Sequence, residues 1–243
     1  MAPEPATGSR SWREETTRKK MEQNLREQVL QHVRSEIISG QTGPGKMYSV
    51  PTLASDLGVS TTPVREALLE LARNGLIEPM RNRGFKVVEP TVEELRDLFD
   101  MRELLEVRAA EIVAAAPKAK KKLAGLTALA DDVKLAVAAD DVPGYLAADR
   151  RFHRAFIAAA GNALLTEMAM GLRDKMRLYG ISSRAGMERQ AASVDEHYRL
   201  IALAQTGDVP AINTLLRQHI RTWEPIFVDA IMKRARDPLQ ARA

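Results

Sequence analysis

The 243-residue chain contains no cysteine. That excludes a disulfide framework and any thiolate metal site. No apolar run approaches the roughly 18 residues that suggest a membrane-spanning helix. The polar N-terminus also lacks the apolar core of a secretory signal. A strong charge of one sign is missing too, since 36 Lys+Arg face 32 Asp+Glu. The small excess is spread evenly: residues 1–90 hold 13 basic and 11 acidic side chains, residues 91–243 hold 23 and 21. Charge balance alone therefore does not point to nucleic acid. No HExxH motif, nucleophile elbow or phosphate-binding glycine loop is present, which argues against the commonest enzyme chemistries. These absences leave a cytoplasmic protein with no membrane partner.

What the chain does have is length enough for two domains and the ordinary composition of a globular protein, 45% hydrophobic and 28% charged. Residues 1–18 are polar and aperiodic, and read as a mobile tail. Residues 21–39 carry Leu25, Val29, Val33, Ile37 and Ile38 at helical spacing. After the loop GQTGPGK, an extended piece near 47–49 precedes a short helix at 51–57 and a second at 63–74. LIEPM (76–80) and GFKVVEP (84–90) then read as strands joined by the polar turn RNR. Three helices and a two-stranded hairpin over 19–88 describe a winged helix-turn-helix, followed by a linker at 89–90. From Thr91, which forms a capping box with Glu94, residues 91–243 read as all helix. The expected helices are 92–116, 118–139, 142–160, 163–180, 187–206 and 209–236. Two of them open on DVP, where Asp caps the helix and Pro suits its first turn. The fold class is thus mainly α, a winged reader followed by a helical bundle.

The helix at 63–74 raises a sharper question. Thr62 is expected to cap it, with Pro63 in the first helical position and Asn74-Gly75 ending it. Those roles leave Arg65 and the hydroxyls in front of it without a structural task. A helix that enters the major groove presents its first residues to base edges and phosphates. Ser60, Thr61, Thr62 and Arg65 stand there, with Arg81 and Arg83 in the wing. PTLASDLGVSTTPVREALLELARNGLIEPMRNRGFKVV (51–88) resembles the DNA-binding domain of the GntR family of bacterial transcription regulators. The resemblance implies that Ser60, Thr62, Arg65 and the wing glycine Gly84 approach a double-stranded operator, expected to be two-fold symmetric and bound by a homodimer. Pro51 and Thr61 stand where that family commonly has DNA-contacting arginines, which implies a different operator or more reliance on Arg65 and the wing.

Of four histidines, His32 reads as a surface residue, while His153, His197 and His219 all lie in the helical part. Asp149 precedes His153 by four positions, so both project from one face. Neutral imidazoles and a carboxylate suit Zn, Ni, Mn or Fe(II), but by spacing alone a histidine in a helix is more often a surface or satisfied core residue than a ligand. DRRFH (149–153), DEHYRLI (195–201) and RQHI (217–220) resemble, in order, the ligand segments of the FCD effector domain of the FadR subgroup. That resemblance implies a divalent ion, Zn first among the candidates, held by Asp149, His153, His197 and His219. Its open positions would face a small organic-acid effector. Arg102 falls inside the apolar stripe of helix 92–116, where an unpaired charge is costly. Its candidate partners are Glu106 at i+4 and an effector carboxylate, and the resemblance favours the second. The function expected is a transcription regulator, acting as a repressor, whose operator binding responds to the effector. The alternative is a metal-dependent enzyme acting on a small carboxylate.

Overall fold

A computed structural model describes residues 8–116, 123–176 and 179–236. The chain divides into two compact units, one formed by residues up to Glu36 with Pro44–Val88, the other by Ile37–Gly43 with the segment from Glu89 onward. In the first unit, α1 (Gly8–Ser39) precedes β1 (Met47–Tyr48), α2 (Val50–Leu57), α3 (Thr61–Arg73), β2 (Ile77–Met80) and β3 (Gly84–Val87). The helix α1 begins well before the expected position, so residues 8–18 are helical and not a tail; residues 1–7 lie outside the described part. Periodicity could not reveal it.

The core of this unit is built by Val29, Leu30 and Val33 of α1 with Val64, Ala67, Leu68 and Leu71 of α3, all buried. Gly58 turns α2 toward α3 in the left-handed region, at φ 64°, and its N–H closes the end of α2. The helix α3 starts earlier than expected, with Ser60 rather than Thr62 at the N-cap. Pro63 therefore sits in the first turn, where an N–H would have no intrahelical partner in any case. At the other end, Gly75 N–H bonds Ala72 O and Leu76 N–H bonds Leu71 O, the Schellman pattern that Asn74-Gly75 suggested.

The wing is a three-stranded antiparallel sheet in the order β1-β3-β2, one strand more than the expected hairpin. Strand β1 pairs Tyr48 with Phe85, so the short extended piece becomes an edge of the wing. Gly84 explains how. Its φ is 103°, and a Cβ there would lie 2.2 Å from the backbone oxygen of Tyr48. Only glycine allows that approach of the two strands.

In the second unit, α4 (Val92–Ala115), α5 (Leu126–Ala138), α6 (Val142–Ala158), α8 (Arg184–Thr206), α9 (Val209–Arg221) and α10 (Glu224–Arg236) pack around a common core, while α7 (Ala163–Lys175) joins α4 and α6 through a second cluster at Ala109, Ile157, Leu165, Ala169 and Met170. The Thr91–Glu94 capping box is present in both directions. Asp141 and Asp208 each accept a backbone N–H three residues on, so the DVP signals do cap helices. Several helix limits differ from expectation; α8 begins at Arg184 rather than 187, and α6 ends at Ala158 rather than 160. Gly125, with φ 91°, delays the start of α5 to Leu126, while residues 117–122 lie outside the described part. The helix α7 ends at Lys175, short of 180, and residues 177–178 are likewise outside. The expected helix 209–236 is two, because Pro225 in the first turn of α10 cannot donate to an α9 carbonyl. Among the described residues, no helix is long and apolar enough to cross a membrane.

Candidate metal centre

Four side chains from three helices converge inside the helical unit. The helix α6 turns its Phe152 and Phe156 into the core, and that same face carries His153 and, one turn earlier, Asp149. His197 on α8 packs against the Phe152 ring at 4.2 Å between centroids, and His219 arrives from α9. All three imidazoles are buried. His153 Nε2 lies 3.2 Å from Nε2 of both His197 and His219. Asp149 Oδ1 lies 3.5 Å from His153 Nε2 and 3.4 Å from His197 Nε2. Donors 2.0–2.1 Å from a common tetrahedral centre stand about 3.3–3.4 Å apart, so the spacing fits one transition-metal ion. The donor chemistry fits as well: the three imidazoles bring ligand atoms within 4.8 Å of one another, and the Asp149 carboxylate lies beside two of them.

Further charged residues surround this set, among them Arg173, Arg189 and Glu196, which the sequence did not single out. Arg173 on α7 donates to Asp149 Oδ2 at 2.7 Å and to Glu106 Oε2 at 2.8 Å. That leaves Asp149 Oδ1 for the imidazoles. Arg102 donates its Nε to Glu106 Oε1 at 2.8 Å, so the i+4 partner is taken up. Arg102 is also one wall of a cavity lined by Asp149, Arg173 and His219. On the other side, His219 Nδ1 lies 2.6 Å from Glu196 Oε2. Arg189 pairs with Glu196, donates to the His219 carbonyl at 3.2 Å and stacks over Trp223. A carboxylate behind a histidine fixes the tautomer, here with the proton on Nδ1 and the lone pair on Nε2 facing the centre.

Electrostatics keep the donors in their ligating forms. Burial, seconded by Arg173, lowers His153 to about 3 against the pull of Asp149. Burial also lowers His219 to about 4, outweighing Glu196. Burial pushes the carboxylates the other way, yet His153 and Arg173 hold Asp149 well below the usual carboxylate range. Arg102 and Arg173 likewise hold Glu106 at about 2, against its burial. At neutral pH His153 and His219 are therefore neutral, and Asp149 and Glu106 are ionised. His32, by contrast, is exposed and 3.6 Å from Glu36.

The expected DNA-contacting side chains are spread over the first unit. Ser60, Thr61, Thr62 and Arg65 are exposed at the start of α3, and Arg81 and Arg83 are exposed in the β2–β3 turn. Gly84, half-buried, is accounted for by the strand approach described above.

Known proteins share both units. Residues 25–87 match the bacterial regulatory proteins of the gntR family, and residues 97–222 match the FCD domain. This chain belongs to the GntR family and carries an FCD domain: it is a DNA-binding transcription regulator. It is 30% identical to the uncharacterized regulator BphR of Paraburkholderia xenovorans, over 82% of this chain and 83% of that one. It is 26% identical to the transcriptional repressor GlaR of Escherichia coli, over 82% and 94%. The solved structure of E. coli McbR/YncC shares the fold, with a TM-score of 0.71 over 87% of this chain and 98% of that one, at 22% identity. BphR and GlaR are regulators, and the enzyme alternative does not hold.

Proposed function

We propose that this regulator is a FadR-subgroup repressor whose helical domain holds one divalent ion and binds a small organic acid that alters operator binding. The reading is carried by the convergence of three buried histidines, with Asp149 Oδ1 beside two of them, in a domain joined to a winged reader. Asp149, His153, His197 and His219 would hold the ion, which would supply a Lewis-acidic positive charge for an anionic ligand. Arg102 would take the effector carboxylate. The helix α3 would read the major groove through Ser60, Thr61, Thr62 and Arg65, and Arg81, Arg83 and the turn at Gly84 would follow the neighbouring backbone. Effector and operator each prefer one arrangement of the protein, and that difference couples them. The test is operator binding by fluorescence anisotropy, with DNA selected from a random pool. The reading expects a selected sequence, and an affinity that changes when acid is added to the metal-loaded protein but not to the chelated one.

A homodimer belongs to this reading, because two-fold operators match two-fold proteins. Met101 and Leu104 of α4 and Leu164 and Met168 of α7 are exposed apolar side chains on two helices that pack together. They support the helical domain as the interface. Leu104→Glu with Met168→Glu is expected to shift light scattering from dimer to monomer and to weaken operator binding. A double variant that stays dimeric would place the interface elsewhere.

Behind the ion, Glu196 is expected to act as a positioning residue for His219. Glu196→Gln keeps the shape but weakens the hydrogen bond that fixes the tautomer. Metal affinity measured by chelator competition should fall about 10–100-fold. An unchanged affinity would remove Glu196 from that role.

A further inference from the structure

The cavity beside the four donors has its own chemistry. It lies between Arg102 on α4, Asp149 on α6, Arg173 on α7 and His219 on α9, and measures about 80 Å³. A cavity of roughly 150 Å³ takes a benzene molecule, so this space suits a small ligand. Its charges are mostly engaged. Arg173 spends one terminal nitrogen on Glu106 and the other on Asp149, and Arg150 grips Asp174 through two bonds, at 2.7 and 2.8 Å. Arg102 differs. It is 5% exposed and gives Glu106 only its Nε, so among the described residues its two terminal nitrogens have no partner. Two such nitrogens match a single carboxylate.

The rest of the wall is apolar: Leu146, Met176, Ile181, Trp223 and Phe227 line it, with Tyr145 as the uncharged polar side chain. The Tyr145 hydroxyl already lies 3.2 Å from Ser193 Oγ. A second carboxylate, or a row of hydroxyls, would lose its water against this wall and gain few partners, which is costly. Methylene and methyl groups would gain instead. Taking the effector-carboxylate reading above as its basis, we infer that the ligand is a short monocarboxylic acid with a small apolar body, rather than a dicarboxylate or a sugar acid. The carboxylate sits on Arg102, and the hydrocarbon lies on Leu146, Met176 and Trp223.

The test is calorimetric titration of the full-length protein, as purified and with Zn²⁺ added. The probes are acetate, propanoate, butanoate and 3-methylbutanoate, with glutarate and gluconate alongside. Affinity should rise about fourfold for each added carbon through 3-methylbutanoate, the factor for a buried methylene. Glutarate and gluconate should bind at least tenfold more weakly than 3-methylbutanoate. Leu146 is half-buried, so Leu146→Asn should fold. It should flatten the rise along the series. A flat series in the wild type, or tighter binding of glutarate or gluconate, would overturn the apolar class and leave a carboxylate effector in place. No saturable binding of any acid would overturn both.

Discussion

The His197→Ala variant is expected to lose most of its divalent ion and, with it, the stabilisation the ion gives. One of four donors is gone, and the set is no longer closed on that side. An ion that binds only the folded state stabilises by mass action, about 4 kcal/mol at a thousandfold excess over Kd. For a chain of this size that corresponds to a Tm shift of about 10 °C. The decisive comparison is internal: adding a chelator should lower the wild-type Tm by this amount and leave the variant's Tm unchanged. Acid should mimic the chelator. The folded-state values of His153 and His219, about 3 and 4, lie below the ordinary 6.5 of an unfolded histidine. The unfolded chain therefore binds more protons between those values, and stability is complete above about pH 6.5 and lost as pH falls toward 3. Protons also compete with the ion for imidazole, so the loss should be steeper with metal than without it. Thermal melts across pH 4–8, with and without chelator, measure both effects. A Tm that the chelator lowers equally in wild type and variant would place the ion elsewhere.

Arg65→Ala should have the largest effect on DNA. Arg65 is exposed in the first turn of α3, where a side chain reaches base edges. Its loss should weaken operator binding by about 1–3 kcal/mol and relax specificity at one base position. Arg83→Ala, in the exposed turn of the wing, should weaken binding to all sequences alike and reduce the salt slope by about one, as a phosphate contact does. Anisotropy titrations at several salt concentrations separate the two. Arg65→Ala binding its operator like wild type at matched salt would mean that α3 does not read bases.

Local signals in the sequence proved the most legible. The Thr91–Glu94 box, the Asp141 and Asp208 caps and the Asn74-Gly75 stop each act through neighbours within a turn or two, so residue order alone exposes them. Asp149 and His153 were legible for the same reason, being one turn apart on α6. Bringing His197 and His219 to them takes the packing of three helices, which spacing cannot specify; the resemblance supplied it. The supporting charges were hidden. Arg173 meets Asp149 and Glu106 from a different helix in each case, and nothing in its own neighbourhood marks it. Glu196 sits beside His197 in sequence yet serves His219, because adjacent residues on a helix point in different directions. Arg102 showed the limit of a pairwise rule. Arginine before glutamate is the weaker order on a solvent-exposed helix. In a buried site, with Arg173 on the other carboxylate oxygen, the pair forms all the same.

The account rests on a metal ion at the centre of the helical domain, and native mass spectrometry of the purified full-length protein tests this most directly. It should show one divalent ion per chain in the wild type, released on acidification and largely absent from His197→Ala and His219→Ala. A wild-type protein without stoichiometric metal, or full metal content in both variants, would contradict it.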